Sequence, residues 1–146
     1  MARNPKTIRL PEQLERDLEL EFRRRGLKEW SAGVVDLLSE AVRMRSIPGI
    51  IFVDSRTGRR PVIAGTGLDV WEVIATWKAA GKNETKLLEA YDWLAEPQIR
   101  AALNYYALYP SEIEERLELE ATWTSERVRR ELPFASPGAV LGDDRG

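Results

Sequence analysis

Apolar residues recur along this chain with a spacing that switches between two and three to four, and each switch marks an element. Lys6-Thr7-Ile8-Arg9-Leu10-Pro11 alternates polar and apolar side chains, the pattern of a short half-buried strand. Pro11 ends that strand and opens a helix at the first-turn position, where a missing N–H costs nothing. Leu14, Leu18 and Phe22 then occupy successive turns of one helical face until Arg25-Gly26 stops it. After Leu27-Lys28-Glu29-Trp30, Ser31 can cap a second helix that carries Val34, Val35, Leu38, Ala41 and Val42 inward and ends near Ser46.

Pro48-Gly49 interrupts the pattern and makes a plausible module boundary. Ile50-Ile51-Phe52-Val53 and Val62-Ile63-Ala64 are apolar runs on either side of Asp54-Ser55-Arg56-Thr57-Gly58-Arg59-Arg60, which predicts a hairpin with a basic loop. Arg56, Arg59 and Arg60 in that loop could grip phosphate or simply be solvated. Three helices follow in close succession. Asp69 with Glu72 reads as a capping box ahead of Val70, Val73, Ile74 and Trp77, and Gly81 closes the helix. Asn83 caps a short helix striped by Leu87, Leu88 and Tyr91. Asp92-Trp93-Leu94 turns into a third helix that starts at Glu96-Pro97, with Ile99, Ala102, Leu103 and Tyr106 inward. This succession spells a tri-helical, helix-turn-helix-like unit.

Pro110 and the Ser111/Glu114 capping pattern predict a kink or a fresh start after Tyr109, with Ile113 and Leu117 continuing the apolar line. A short helix from 125 to 132 is expected beyond Trp123, and Pro133, Pro137 and the terminal Gly-Asp-Asp-Arg-Gly read as poorly ordered chain. Trp123, Val128, Leu132 and Phe134 are large apolar groups with little core of their own, beside Arg127, Arg129 and Arg130. They can pack back onto this protein or bury themselves in a partner.

Chemistry narrows the function classes. The 146 residues include no cysteine and no histidine, which removes disulfides, thiolate nucleophiles, the usual zinc ligands and the usual neutral-pH general base. Glu112, Glu114, Glu115 and Glu118 are spaced as a solvated helix face, and no nucleophile stands in a triad-like setting. The expectation is a protein with no catalytic residues, metal or cofactor. No apolar run is long enough to span a bilayer and none opens the sequence as a signal peptide does, so a cytoplasmic location without membrane contact is expected. Charge is uneven: residues 1–68 hold 13 Lys and Arg against 9 Asp and Glu, whereas residues 69–146 hold 9 against 15, within chain totals of 22 and 24. A basic front and an acidic back suit nucleic acid at one end and a protein partner at the other.

Two resemblances sharpen this. The strand, helix, Gly-containing turn and Ser-led helix of the first 47 residues resemble the ribbon-helix-helix family. A single short strand cannot stand alone, so two chains would pair strands into an antiparallel ribbon able to enter a major groove. With Ile8 and Leu10 facing the core, Thr7 and Arg9 would read bases, while Lys6, Arg3 and the amides near Ser31 would contact phosphate. The Pro-Val-Ile-Ala-Gly-Thr run at 61–66, the helix ending in Ala80-Gly81, the short helix closing at Tyr91, and Ile99-Arg100-Ala101-Ala102-Leu103 with Tyr105 and Tyr106 resemble the domain-of-unknown-function 433 family. That resemblance implies a VapB-type antitoxin paired with a PIN-like ribonuclease toxin. Where the family pattern usually places an arginine after Gly-Thr, this chain has Gly67-Leu68-Asp69, which removes a natural phosphate or base-edge contact.

The resulting expectation is a mainly α protein with short β elements. Residues 1–47 form a ribbon-helix-helix segment, 48–109 a hairpin with a tri-helical domain, and 110–146 a C-terminal helix and tail. The function expected is that of an antitoxin. It would bind operator DNA as a homodimer through Arg3, Lys6, Thr7, Arg9, Ser31, Arg59 and Arg60. It would bind its ribonuclease through Trp123, Arg127, Val128, Arg129, Arg130, Leu132 and Phe134. The alternatives are a stand-alone dimeric transcription regulator and a helical interaction module.

Overall fold

A computed structural model describes residues 4–56, 58–122 and 130. The protein is mainly helical, with six helices and one two-stranded antiparallel sheet among the described residues. It divides between Ser46 and Ile47 into two compact units.

The first unit contains α1 (Glu12–Arg25) and α2 (Trp30–Ser46), which pack against each other. Pro11 is the N-cap of α1 and not its first residue, and Gly26 ends the helix in the left-handed conformation with its amide donating to the Arg23 carbonyl. The Leu27 amide donates to the Phe22 carbonyl at 2.8 Å, which completes the cap. α2 begins at Trp30, so Ser31 lies inside its first turn and does not cap it. Phe22 is the one large apolar side chain buried among the described residues of this unit. It packs against Gly33, where an added Cβ would stand 2.7 Å from the ring.

Residues 4–11 belong to no helix or strand, because a strand requires a hydrogen-bonding neighbour and the single chain offers none. The inward assignments made from periodicity also change. Ile8 is 67% exposed, Val35 64%, Leu38 57% and Val42 58%, while Val34 and Ala41 are half-buried. The apolar stripe of α2 is present, but its Val35, Leu38 and Val42 are exposed among the described residues.

The second unit has a continuous core. β1 (Ile50–Ser55) pairs with β2 (Gly58–Ile63), with Ile50 opposite Ile63 and Ser55 opposite Gly58. The basic loop expected between them is therefore mostly strand: only Arg56 and Thr57 separate the two, and Arg59 and Arg60 are β2 residues. Cross-strand pairing extended the ladder to the turn because Asp54 and Arg59 face each other across it.

α3 (Val70–Ala79), α4 (Glu84–Ala90), α5 (Glu96–Leu108) and α6 (Pro110–Ala121) complete the unit. The Glu72 carboxylate accepts the Asp69 amide at 2.9 Å, and Asn83 accepts the Lys86 amide at 3.1 Å, both at the expected helix starts. Gln98 accepts the Ala95 amide at 2.8 Å and so opens α5. α3 packs on α4, α5, α6 and β2. Thr76 and Tyr91 share a 3.0 Å hydroxyl contact, and Arg100 reaches Glu84 from α5 to α4. Val70, Val73, Ile74, Leu87, Ile99 and Ala102 are buried as their spacing predicts. Tyr105 is fully buried against Phe52 and Tyr109, whereas Tyr106 is half-buried. Pro110 starts a new helix, α6, and its Ile113 enters the same core.

Candidate functional site

The residues expected to meet DNA fall into two groups. Lys6, Thr7 and Arg9 lie on the exposed N-terminal segment, and Ser31 is exposed on the first turn of α2. The Gly33 amide is already committed to the Glu29 carbonyl at 3.1 Å. Arg3 lies outside the described residues.

Arg59 and Arg60 differ, because the fold uses both. Arg59 donates to Asp54 at 3.0 Å and to the Phe52 carbonyl at 3.1 Å. Arg60 places its Nε 3.4 Å from the buried Asp69 carboxylate, which also accepts the Trp71 indole N–H at 2.9 Å. Asp69 thus joins the strand to the start of α3.

The exposed face of α5 offers DNA little positive charge. Glu96 and Arg100 are its exposed charged residues, and Arg100 is engaged by Glu84 at 3.0 and 3.2 Å. Gly67 is exposed with φ +69°, a conformation that L side chains rarely adopt, so an arginine there would strain the turn as well as change its charge.

The acidic face expected on α6 is only partly a solvated one. Glu114 accepts from Lys78 of α3 and Tyr106 of α5, and Glu112 accepts from the Tyr105 hydroxyl. The hydrogen bond from Lys78, reinforced by that from Tyr106, holds the Glu114 carboxyl below its ordinary range. The same bond raises Lys78, and hydrogen bonding to Glu114 together with partial burial raises Tyr106. Nothing in sequence spacing announced this triad, since its members are 28 and 36 residues apart along the chain from Lys78.

Of the tail residues expected to meet a toxin, Trp123, Arg127, Val128, Arg129, Leu132 and Phe134 lie outside the described residues, and Arg130 is exposed and helical. Among the described residues no group of three or more acidic, His or Cys side chains is placed to hold a metal ion. No helix among them is long and apolar enough to cross a membrane.

The hairpin followed by α3, α4 and α5 is the arrangement that carries the sequence match. Residues 51–106 match the family model described as "Protein of unknown function (DUF433)". The DUF433 segment therefore starts within β1 and ends within α5, leaving α1, α2 and α6 outside it. The buried Ile63, Val70, Val73, Ile74, Leu87 and Ile99 lie inside the DUF433 segment, while Ile47, Ile50 and Ile113 of the same core lie outside it. No curated protein and no solved structure matches the chain.

Proposed function

We propose that the protein works as a homodimer whose N-terminal segments pair as a DNA-reading ribbon, and that it acts as an antitoxin repressing its own operon. The observation that carries this reading is the unfinished core of the first unit. Among its described residues Phe22 is the one buried large apolar side chain, while Val35, Leu38 and Val42 remain exposed along one face of α2 and Ile8 is exposed in the segment before α1. A module of this size closes its core by association. A second copy would cover the α2 stripe and supply the missing strand neighbour, leaving Thr7 and Arg9 on the outer face of the ribbon. Lys6 and the basic leader would add salt-sensitive phosphate contacts.

The toxin partner, a PIN-like ribonuclease, rests on the resemblance of the DUF433 segment, and the tail from Trp123 to Phe134 is its proposed docking region. Light scattering of the purified chain should report a dimer. Operator binding should weaken by about 1–3 kcal/mol on Arg9→Ala, the scale of one good base contact. Co-expression with the adjacent gene product should give a stable hetero-complex. A monomer at micromolar concentration would overturn the ribbon, whereas a DNA-binding dimer without a hetero-complex would leave a stand-alone regulator.

A further inference from the structure

Between β2, the start of α3 and α6 lies a cavity of about 230 Å³, with apolar walls from Pro61, Trp71, Ile113 and Leu119. Arg59, Arg60 and Arg116 line it against Glu112 and Glu115. Arg59 is held by Asp54 at 3.0 Å, and Arg116 by Glu120 at 2.6 Å with its guanidinium 5.6 Å from the Trp71 ring centre. Glu112 is engaged as well, accepting from the Tyr105 hydroxyl. Three guanidiniums against two carboxylates leave the lining slightly positive, a small margin that favours an anion.

Arg60 decides more than the charge count does. Its Nε is buried and, among the described residues, has no hydrogen-bond partner. The Asp69 carboxylate lies 3.4 Å away, an ion-pair contact that is not a hydrogen bond, and is itself tied to the Trp71 indole N–H at 2.9 Å. A buried donor without an acceptor is costly, and a guanidinium offers only donors, so the group that relieves it must be an acceptor. A carboxylate does so best: it accepts two parallel N–H bonds from one guanidinium, and charge-assisted bonds are stronger than neutral ones. The Arg60 side chain is 41% exposed, which leaves it within reach of a ligand arriving from solvent.

Size restricts the rest of the ligand. The volume falls below the ~300–1,000 Å³ typical of pockets that enclose drug-sized ligands, so the apolar part is a short chain or a small ring. We propose that the cavity binds a small monocarboxylic acid, its carboxylate on Arg60 and its apolar body between Trp71, Ile113 and Leu119. Such an acid bridges β2 to α6 and so stabilises the second unit. The inference goes beyond the antitoxin reading and requires neither DNA contact by the first unit nor a ribonuclease as the partner.

Nitrogen-15 NMR of the full chain tests it, with the Trp71 indole N–H and the backbone amides of residues 112–119 as reporters. Hexanoate should give saturable shifts at these positions in the millimolar range and raise the thermal midpoint, as a ligand of the native state does. Hexanamide, its neutral counterpart, and butylguanidine, a cation of similar length, should bind at least about fivefold more weakly. Arg60→Lys keeps a positive charge beside Asp69 but removes the planar fork, and should weaken hexanoate about tenfold. Glu115→Gln removes a negative charge from an exposed position of the lining and should tighten hexanoate about two- to threefold, the scale of one partly exposed charge pair. The proposal is overturned if hexanoate gives no saturable shift, if hexanamide or butylguanidine binds as well, or if a folded Arg60→Lys binds hexanoate undiminished. Should Arg60→Lys fail to fold, Glu115→Gln decides, and an unchanged affinity for hexanoate then overturns the proposal.

Discussion

Gly33 and Phe22 meet so closely that any β-carbon at position 33 must displace the ring, with contacts of 2.7–2.9 Å. Because Phe22 is the one buried large apolar side chain among the described residues of its unit, the ring has no second core there to retreat into. Gly33→Ala should therefore destabilise the first unit by about 1–3 kcal/mol, the usual cost of overpacking, read by chemical denaturation. Periodicity could not reveal this glycine, since a helical glycine reads from sequence as a mild defect. Tyr105 presents the opposite case. Its ring is fully buried while its hydroxyl donates to Glu112, so Tyr105→Phe should cost about 1 kcal/mol and Tyr105→Ala about 3–5 kcal/mol. A Phe variant as damaging as the Ala variant would show that the hydroxyl, and not the ring, dominates. The sequence placed Tyr106 inward, but adjacent aromatics on one helix differ by only about 100° in direction, and the position of β1 decided which was buried.

At the scale of elements, the helices of the second unit were legible because caps and periodicity are local. Asn83, Asp69 with Glu72, and Pro97 stand where their chemistry predicts. The hairpin was legible in kind and wrong in length, because Arg59 and Arg60 look like loop residues until Asp54 and Asp69 are brought beside them. α6 is held by a contact that sequence could not show: Glu114 accepts from Lys78 and Tyr106 on two other helices. Glu114 is held low, so its contribution to stability is complete above the ordinary carboxyl range and is lost as pH falls through its depressed value. Lys78 and Tyr106 are held high, so theirs is complete below their ordinary values and is lost as pH rises through the raised ones. The groups are partly exposed, and the effect should be modest and shrink with salt. Glu114→Gln should lower the thermal midpoint at neutral pH, and its difference from the unaltered protein should fade only at acid pH, as pH falls beneath the ordinary carboxyl range and through the depressed value of Glu114. A difference that persists at acid pH would mean that packing, and not charge, docks α6.

At the scale of the whole molecule, the two units close their cores to different degrees. Residues from the hairpin and from α3, α4, α5 and α6 share one buried cluster, whereas among the described residues α2 keeps Val35, Leu38 and Val42 exposed. If a second copy covers that stripe, Leu38→Asp with Val42→Asp should convert the dimer to monomer in light scattering. DNA binding should be lost with it, while the second unit keeps its thermal transition. Retention of the dimer would place the interface elsewhere. The salt dependence of operator binding belongs to this scale as well: a slope of about one phosphate contact per cation should diminish on Lys6→Ala. By itself the sequence determined what depends on near neighbours: helix starts and stops, the amphipathic stripes, the absence of cysteine and histidine chemistry, and the charge difference between front and back. Tertiary structure decided what depends on residues far apart in the chain: which arginines are held by carboxylates, which of two tyrosines is buried, and how Glu114 is shared between helices. Local backbone preferences act over a few residues, whereas the pairing of charges and the burial of side chains are fixed only when distant segments are brought together.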